Sequence, residues 1–256
     1  MNGRARLTAE QLRVTDDVLA EAGRTHLVVY LSGAHAYGFP SPDSDVDLKC
    51  VHIEETSRFL GLAPPRTTFD RAEVIDGVEM DYTSNEVGMV LAGVLAGNGN
   101  YLERLLGDAA MEEHPALAGL RPMVTRTLSR RVHRHYRGFA TSQRNELVKK
   151  PSAKKALYVL RTTLTGAHLL ATGEMVTDVR LLLGQYGFEA AADLIEAKRR
   201  GERQPLSEAE GAYWAAELDR AFDALDAAER SSPLPSDPTN GDELDAWLIA
   251  LRRAGL

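Results

Sequence analysis

Asp45 and Asp47 are the side chains in this sequence best spaced to do chemistry. They lie in Asp45-Val46-Asp47-Leu48-Lys49-Cys50-Val51-His52-Ile53, a segment of strand character. On a strand, alternation sends both carboxylates to one side and Val46, Leu48 and Cys50 to the other, where they can be buried. Two carboxylates side by side repel each other. A cation between them relieves the repulsion, and hard oxygen ligands suit Mg²⁺. Just upstream, Leu27-Val28-Val29-Tyr30-Leu31 is an apolar, partly β-branched run of strand length. Gly33 and Gly38 then bracket a turn in which backbone can approach a ligand closely. Ala34 to Tyr37 are expected to begin a short helix that aims N–H groups at an anion.

Gly33-Ala34-His35-Ala36-Tyr37-Gly38 followed by Ser44-Asp45-Val46-Asp47 resembles the signature of the polymerase-beta-type nucleotidyltransferase superfamily. It is most similar to the RNA-repair-associated polymerase-beta-like nucleotidyltransferases of bacteria and phages. The loop, the spacing and the following strand agree together. One position departs: the family has Ser after the first glycine, with its hydroxyl on nucleotide phosphate, and this chain has Ala34. The resemblance implies a transfer of a nucleoside monophosphate from an NTP to a hydroxyl with loss of pyrophosphate. Asp45 and Asp47 would hold two Mg²⁺ ions, with Mn²⁺ able to substitute. Gly33, Ala34, His35 and Ser44 would line the nucleotide loop. The family also places an Asp on a strand before a helix beginning with Glu. Asp81, ahead of Glu86, fits that third metal-binding and catalytic carboxylate, and Glu79 on the same face is the alternative.

The positioning elements follow from local signals. Thr8 and Gln11 form a capping-box pattern ahead of a helix that Gly23 stops. Asp76-Gly77 between two alternating runs predicts a hairpin over residues 67–84. Thr83 with Glu86 reads as another capping box opening a helix to about Ala96, and Asn100 as the cap of a short helix with Leu102, Leu105 and Leu106. The half after Gly107 reads as all helical, with helices expected over Pro115 to Val132, His133 to Thr141, Ser152 to Thr172, Asp178 to Arg200, Ser207 to Arg230 and Glu243 to Arg253, and Ser231 to Asp242 as a linker loop. The expected fold class is α/β (α+β): a small mixed-sheet nucleotidyltransferase domain over 1–107, then an all-helical nucleotide- and acceptor-binding domain over 108–256. On the helix after Pro151, Lys154, Tyr158, Arg161, Thr165 and His168 form a stripe at helical spacing, beside Lys155. By the same likeness Lys154, Lys155, Tyr158 and Arg161 would bind the triphosphate or the acceptor.

The net charge of −7 argues against a general nucleic-acid coat, but it hides an asymmetry. From Arg121 to Arg161 stand 12 Lys and Arg and one acid, Glu146, a net +11; the remainder carries −18. A basic segment beside an acidic metal site suits an RNA acceptor, a tRNA 3′ end among the candidates. Solvated helix faces are the alternative for any one of these residues. Other acceptors stay open, small molecules or protein side chains, as does a non-catalytic nucleotide sensor. The single cysteine, Cys50, excludes an intrachain disulfide framework and a cysteine-based zinc cluster. With no apolar run of about 18 residues and no secretory signal, a cytoplasmic protein is expected.

Overall fold

The computed structural model describes residues 2–201 and 205–255. Along the chain run α1 (Ala9–Ala22), β1 (Thr25–Tyr30), α2 (Gly33–Tyr37), β2 (Val46–Ile53), β3 (Thr68–Ile75), β4 (Val78–Glu86), α3 (Val87–Leu95), α4 (Gly99–Leu106), β5 (Ala110–Glu113), α5 (Ala116–Arg126), α6 (Val132–Lys149), α7 (Ala153–Thr172), α8 (Arg180–Tyr186), α9 (Ala191–Arg199), α10 (Glu208–Ser231) and α11 (Gly241–Arg253). The fold is α+β, a mixed sheet with helices, as expected. Two compact units emerge: Met1–Gly33, Asp45–Thr127 and Pro238–Leu256 form one, Ala34–Ser44 and Leu128–Asp237 the other. Among the described residues no helix is long and apolar enough to cross a membrane.

The first unit is built on a five-stranded sheet in the order β3-β4-β2-β1-β5. Only β2 and β4 pair in parallel; the other pairs are antiparallel. In β1, Leu27, Val28 and Val29 are all fully buried, so this strand is covered on both faces. That explains a continuous apolar run in place of alternation. In β2 the alternation is real: Val46, Leu48 and Cys50 are fully buried, while Asp47 and Lys49 are half-buried on the opposite face. Asp76 (φ 50°) and Gly77 (φ 82°) both take positive φ between β3 and β4, the two-residue turn that Asp-Gly favours. In β4, Met80 and Tyr82 are buried and Glu79, Asp81 and Thr83 face outward.

Three local expectations differ from the structure. The box at Thr83 does not form, because β4 stays paired to β2 and β3 through Glu86 (His52↔Glu86, Thr68↔Asn85). Glu86 itself caps α3, its carboxylate accepting from the N–H groups of Gly88 (2.8 Å) and Met89 (3.1 Å). Asn98, not Asn100, caps α4, accepting from the Asn100 N–H at 3.0 Å. Residues 110–113 form an edge strand in the part of the chain expected to be an all-helical domain. Ala-Met-Glu-Glu carries no local strand signal; the pairing Val28↔Glu113 and Val29↔Glu112 with β1 decides it.

The second unit is organised around α7, which packs against α6, α8, α9 and α10. Ser152 caps it, accepting from the Lys155 N–H. Buried residues occur on every side of α7, including Arg161, Thr163, Thr165 and His168. A helix wrapped by partners must satisfy its polar groups locally. Thr163 Oγ1 donates to the Val159 and Leu160 carbonyls, and Thr165 Oγ1 to that of Val176. The stretch 178–200 is two helices, because Gly187 turns left-handed (φ 71°) and ends α8.

Candidate active site

In the first unit the parallel register of β2 and β4 sets Asp47 opposite Asp81. Asp45 directly precedes β2, two residues from Asp47, and is half-buried. The Asp47 side chain is only 16% exposed. Burial, and next the neighbouring Asp45 charge, push its carboxyl up to about 7; Lys49 pulls the other way, and Asp81 adds to the rise by its charge and a hydrogen bond. Gly33 belongs to the same corner. Its φ is 60°, and a Cβ there would collide with the Asp47 carboxylate. Glycine is thus required twice over, by conformation and by close approach. The Ser32 N–H donates to the Asp47 carbonyl at 2.8 Å and ties the turn to β2. Glu79, the alternative third carboxylate, is exposed two residues along β4, opposite Val74 of β3.

Lys49 is the group in this corner that the sequence analysis does not assign. Its ammonium donates to Asp81 Oδ2 at 2.7 Å and to Thr83 Oγ1 at 3.3 Å, and lies 3.9 Å from Asp47 Oδ1. The signal was present: Lys49 has the same strand parity as Asp45 and Asp47. Among the described residues, no three His, Cys, Asp or Glu side chains stand ready to hold a metal ion. The donor chemistry nevertheless fits a hard divalent cation. Asp45, Asp47 and Asp81 offer only oxygens, and the Asp47 carboxyl is pushed up first by burial and then by the Asp45 charge.

The remaining predicted residues lie in the second unit. Ala34 and His35 are buried. Ser44 is buried too; its Oγ accepts from the Ser41 N–H at 2.9 Å, and both Ser41 and Ser44 hydroxyls lie 2.5 Å from Nζ of Lys198. Lys198, on α9 and fully buried, ties down the loop immediately ahead of Asp45. Nothing in the local sequence announces a partner more than 150 residues away. Arg161 is 2% exposed and lies over the Tyr37 ring, 3.4 Å from its centroid. Tyr158 meets Tyr37 and Phe39 edge-on at 5.8 and 5.5 Å. Arg161 is therefore part of an aromatic cluster that holds the loop. Lys154, Lys155 and Tyr158 instead line a cavity of about 500 Å³, with Ser142, Gln143 and Lys150. Lys155 donates to the Glu146 carbonyl there at 2.7 Å.

Residues 15–250 match the sequence model of the RNA repair pathway DNA polymerase beta family. The chain belongs to this family. This membership agrees with the motif around Asp45 and Asp47. A curated relative, the uncharacterized protein MJ0002 of Methanocaldococcus jannaschii, is 29% identical over 157 residues. The alignment spans 59% of this chain and 63% of that protein. Among solved structures, a nucleotidyltransferase-like protein from Exiguobacterium sibiricum 255-15 aligns over 96% of this chain and 79% of its own, at 10% identity and a TM-score of 0.33.

Proposed function

We propose that this polymerase-beta family member transfers a nucleoside monophosphate from an NTP to a hydroxyl of RNA, a 3′ end, and releases pyrophosphate. The observation that carries the reading is the placement of Asp47 and Asp81 in register on neighbouring strands, with Asp45 directly ahead of β2. Asp45, Asp47 and Asp81 would hold Mg²⁺, which when bound supplies charge neutralisation at the triphosphate and at the attacking oxygen. Gly33 lets the Asp47 carboxylate pack directly against the backbone of the turn. Asp81 orients the acceptor hydroxyl and takes its proton as the oxygen attacks the α-phosphate. The bond from the α-phosphorus to the bridging oxygen breaks, and that oxygen leaves with pyrophosphate. Positioning and charge do the work, with little covalent chemistry asked of the protein. In the helical unit, Lys154, Lys155, Tyr158 and Arg161 are the nucleotide-binding candidates.

The RNA acceptor rests on the RNA-repair description of the family and on the basic segment 121–161. A second reading, nucleotidylation of a small molecule or a protein side chain, is favoured by the pairing within that segment. Arg121, Arg126, Arg131, Arg137, Arg144 and Lys149 each pair with a carboxylate of this chain. Incubation with each α-³²P-labelled NTP, Mg²⁺ and total RNA separates the readings, with Asp45→Asn as control. Label on RNA with the unsubstituted protein alone is expected. Label on protein, or on neither, overturns the RNA assignment.

A further inference from the structure

The carboxylate corner already contains a cation, and it belongs to the chain. Asp47 and Lys49 share one face of β2, and Asp81 and Thr83 share the adjoining face of β4. Lys49 pairs across to Thr83 but leans diagonally to Asp81, 2.7 Å from Oδ2. The Lys49 and Asp47 side chains are 23% and 16% exposed and that of Asp81 is 43% exposed, so the cluster is partly buried on the β2 side and open to solvent at Asp81. An Asp81 oxygen that a divalent cation would need is thus already held by an ammonium.

We propose that Lys49 is the resident counter-ion of the site and a positioning residue for Asp81. Asp45 and Asp47 accept a divalent cation directly. Asp81 becomes a ligand only when Lys49 releases it, and the anionic triphosphate draws the ammonium away. Full metal loading is thereby coupled to nucleotide binding. The proposal rests on the reading of the three aspartates as a metal site, and goes beyond it in assigning Lys49 a role.

The test is Mn²⁺ binding to nucleotide-free protein, followed by the electron paramagnetic resonance signal of free Mn²⁺. Wild type is expected to bind one ion. Lys49→Met is expected to bind a second ion, or the first on the order of tenfold more tightly, since a positive charge a few ångströms away has gone. Lys49→Arg should behave as wild type. A non-hydrolysable NTP analogue should bring wild type to the stoichiometry of Lys49→Met. Lys49→Gln, which keeps hydrogen bonding without the charge, is the second variant if the methionine variant does not fold, and should shift binding in the same direction. A folded Lys49→Met or Lys49→Gln that matches wild type in number and affinity overturns the proposal. Asp45→Asn separates the two levels. Loss of Mn²⁺ binding in Asp45→Asn beside unchanged binding in the Lys49 variants removes only the role of Lys49. Unchanged binding in Asp45→Asn removes the metal site and the proposal together.

Discussion

Asp47 carries two demands that pull against each other. Its carboxylate must be ionised to bind a cation, yet burial and Asp45 raise its pKa to about 7 from an ordinary 3.8. Between those values the folded protein holds a proton that the unfolded chain gives up. Stability from this group is therefore greatest below about pH 4 and is lost as the pH rises through 7. The shift corresponds to roughly 4 kcal/mol. In Asp47→Asn that pH dependence should vanish, and in chelator at pH 8 the variant should melt higher than wild type. Transfer should fall by at least about a hundredfold in the same protein. Full activity in Asp47→Asn would defeat the assignment. Mg²⁺ should raise the melting temperature of wild type at pH 8 and leave Asp47→Asn nearly unmoved. Ala34 is the second residue with a direct test. Restoring the hydroxyl by Ala34→Ser should lower the KM for NTP by about tenfold, the worth of one hydrogen bond to a charged group. An unchanged KM would mean that the loop holds phosphate through its backbone alone. The direction of the Asp47 side chain was legible because spacing on a strand fixes which way a carboxylate points. Lys49 obeys the same rule, but a lysine on an exposed-looking face carries no sign of its partner.

At the scale of elements, strands and helices with strong local punctuation are where the sequence predicts them. Asp76-Gly77 makes its turn, Thr8 and Gln11 make their box, and Ser152 caps α7. The failures are tertiary. β5 exists because β1 has an open edge, and β4 runs on through Glu86 because it has partners on both sides. The packing of α7 supplies a prediction of the same kind. A Cβ on Gly166 would press into Cβ and Cγ of Tyr136 on α6, so the glycine permits a close helix approach. Gly166→Ala should destabilise by about 1–3 kcal/mol despite its better helix propensity, because the contact is at the root of the tyrosine and cannot swing away. Gly138, in the middle of α6, faces open space. Gly138→Ala should stabilise by about 0.5–1 kcal/mol, since only propensity changes. Urea unfolding midpoints read both. A Gly166→Ala midpoint equal to or above wild type would show that α6 and α7 can part at no cost.

At the scale of the whole molecule, charge decides how an RNA would be held. The sequence places +11 between Arg121 and Arg161 but cannot show where the acids of the −18 remainder fold back. Among the described residues, Arg121, Arg126, Arg131, Arg137 and Arg144 pair with Glu113, Glu243, Asp237, Asp226 and Asp219 of that remainder, and Lys149 with the segment's own Glu146. Most of these pairs are solvent-exposed and each is worth at most about 1 kcal/mol, so they are partners that a phosphate would have to displace. The other six cations of the segment are Arg130, Arg134, Lys150, Lys154, Lys155 and the buried Arg161. About five phosphate contacts on a single strand correspond to a slope of about −3.5 for log affinity against log salt concentration. Engagement of all 12 cations would steepen it to about −8. Filter binding of a 3′-ended RNA from 50 to about 200 mM salt distinguishes the two. The shallow slope is expected. Asp226→Asn, which frees Arg137 and His133 from their shared carboxylate, should steepen the slope by roughly one phosphate contact and tighten binding at low salt. A slope near zero in both proteins would show that RNA does not meet this segment, and the acceptor would then be sought among small molecules and proteins.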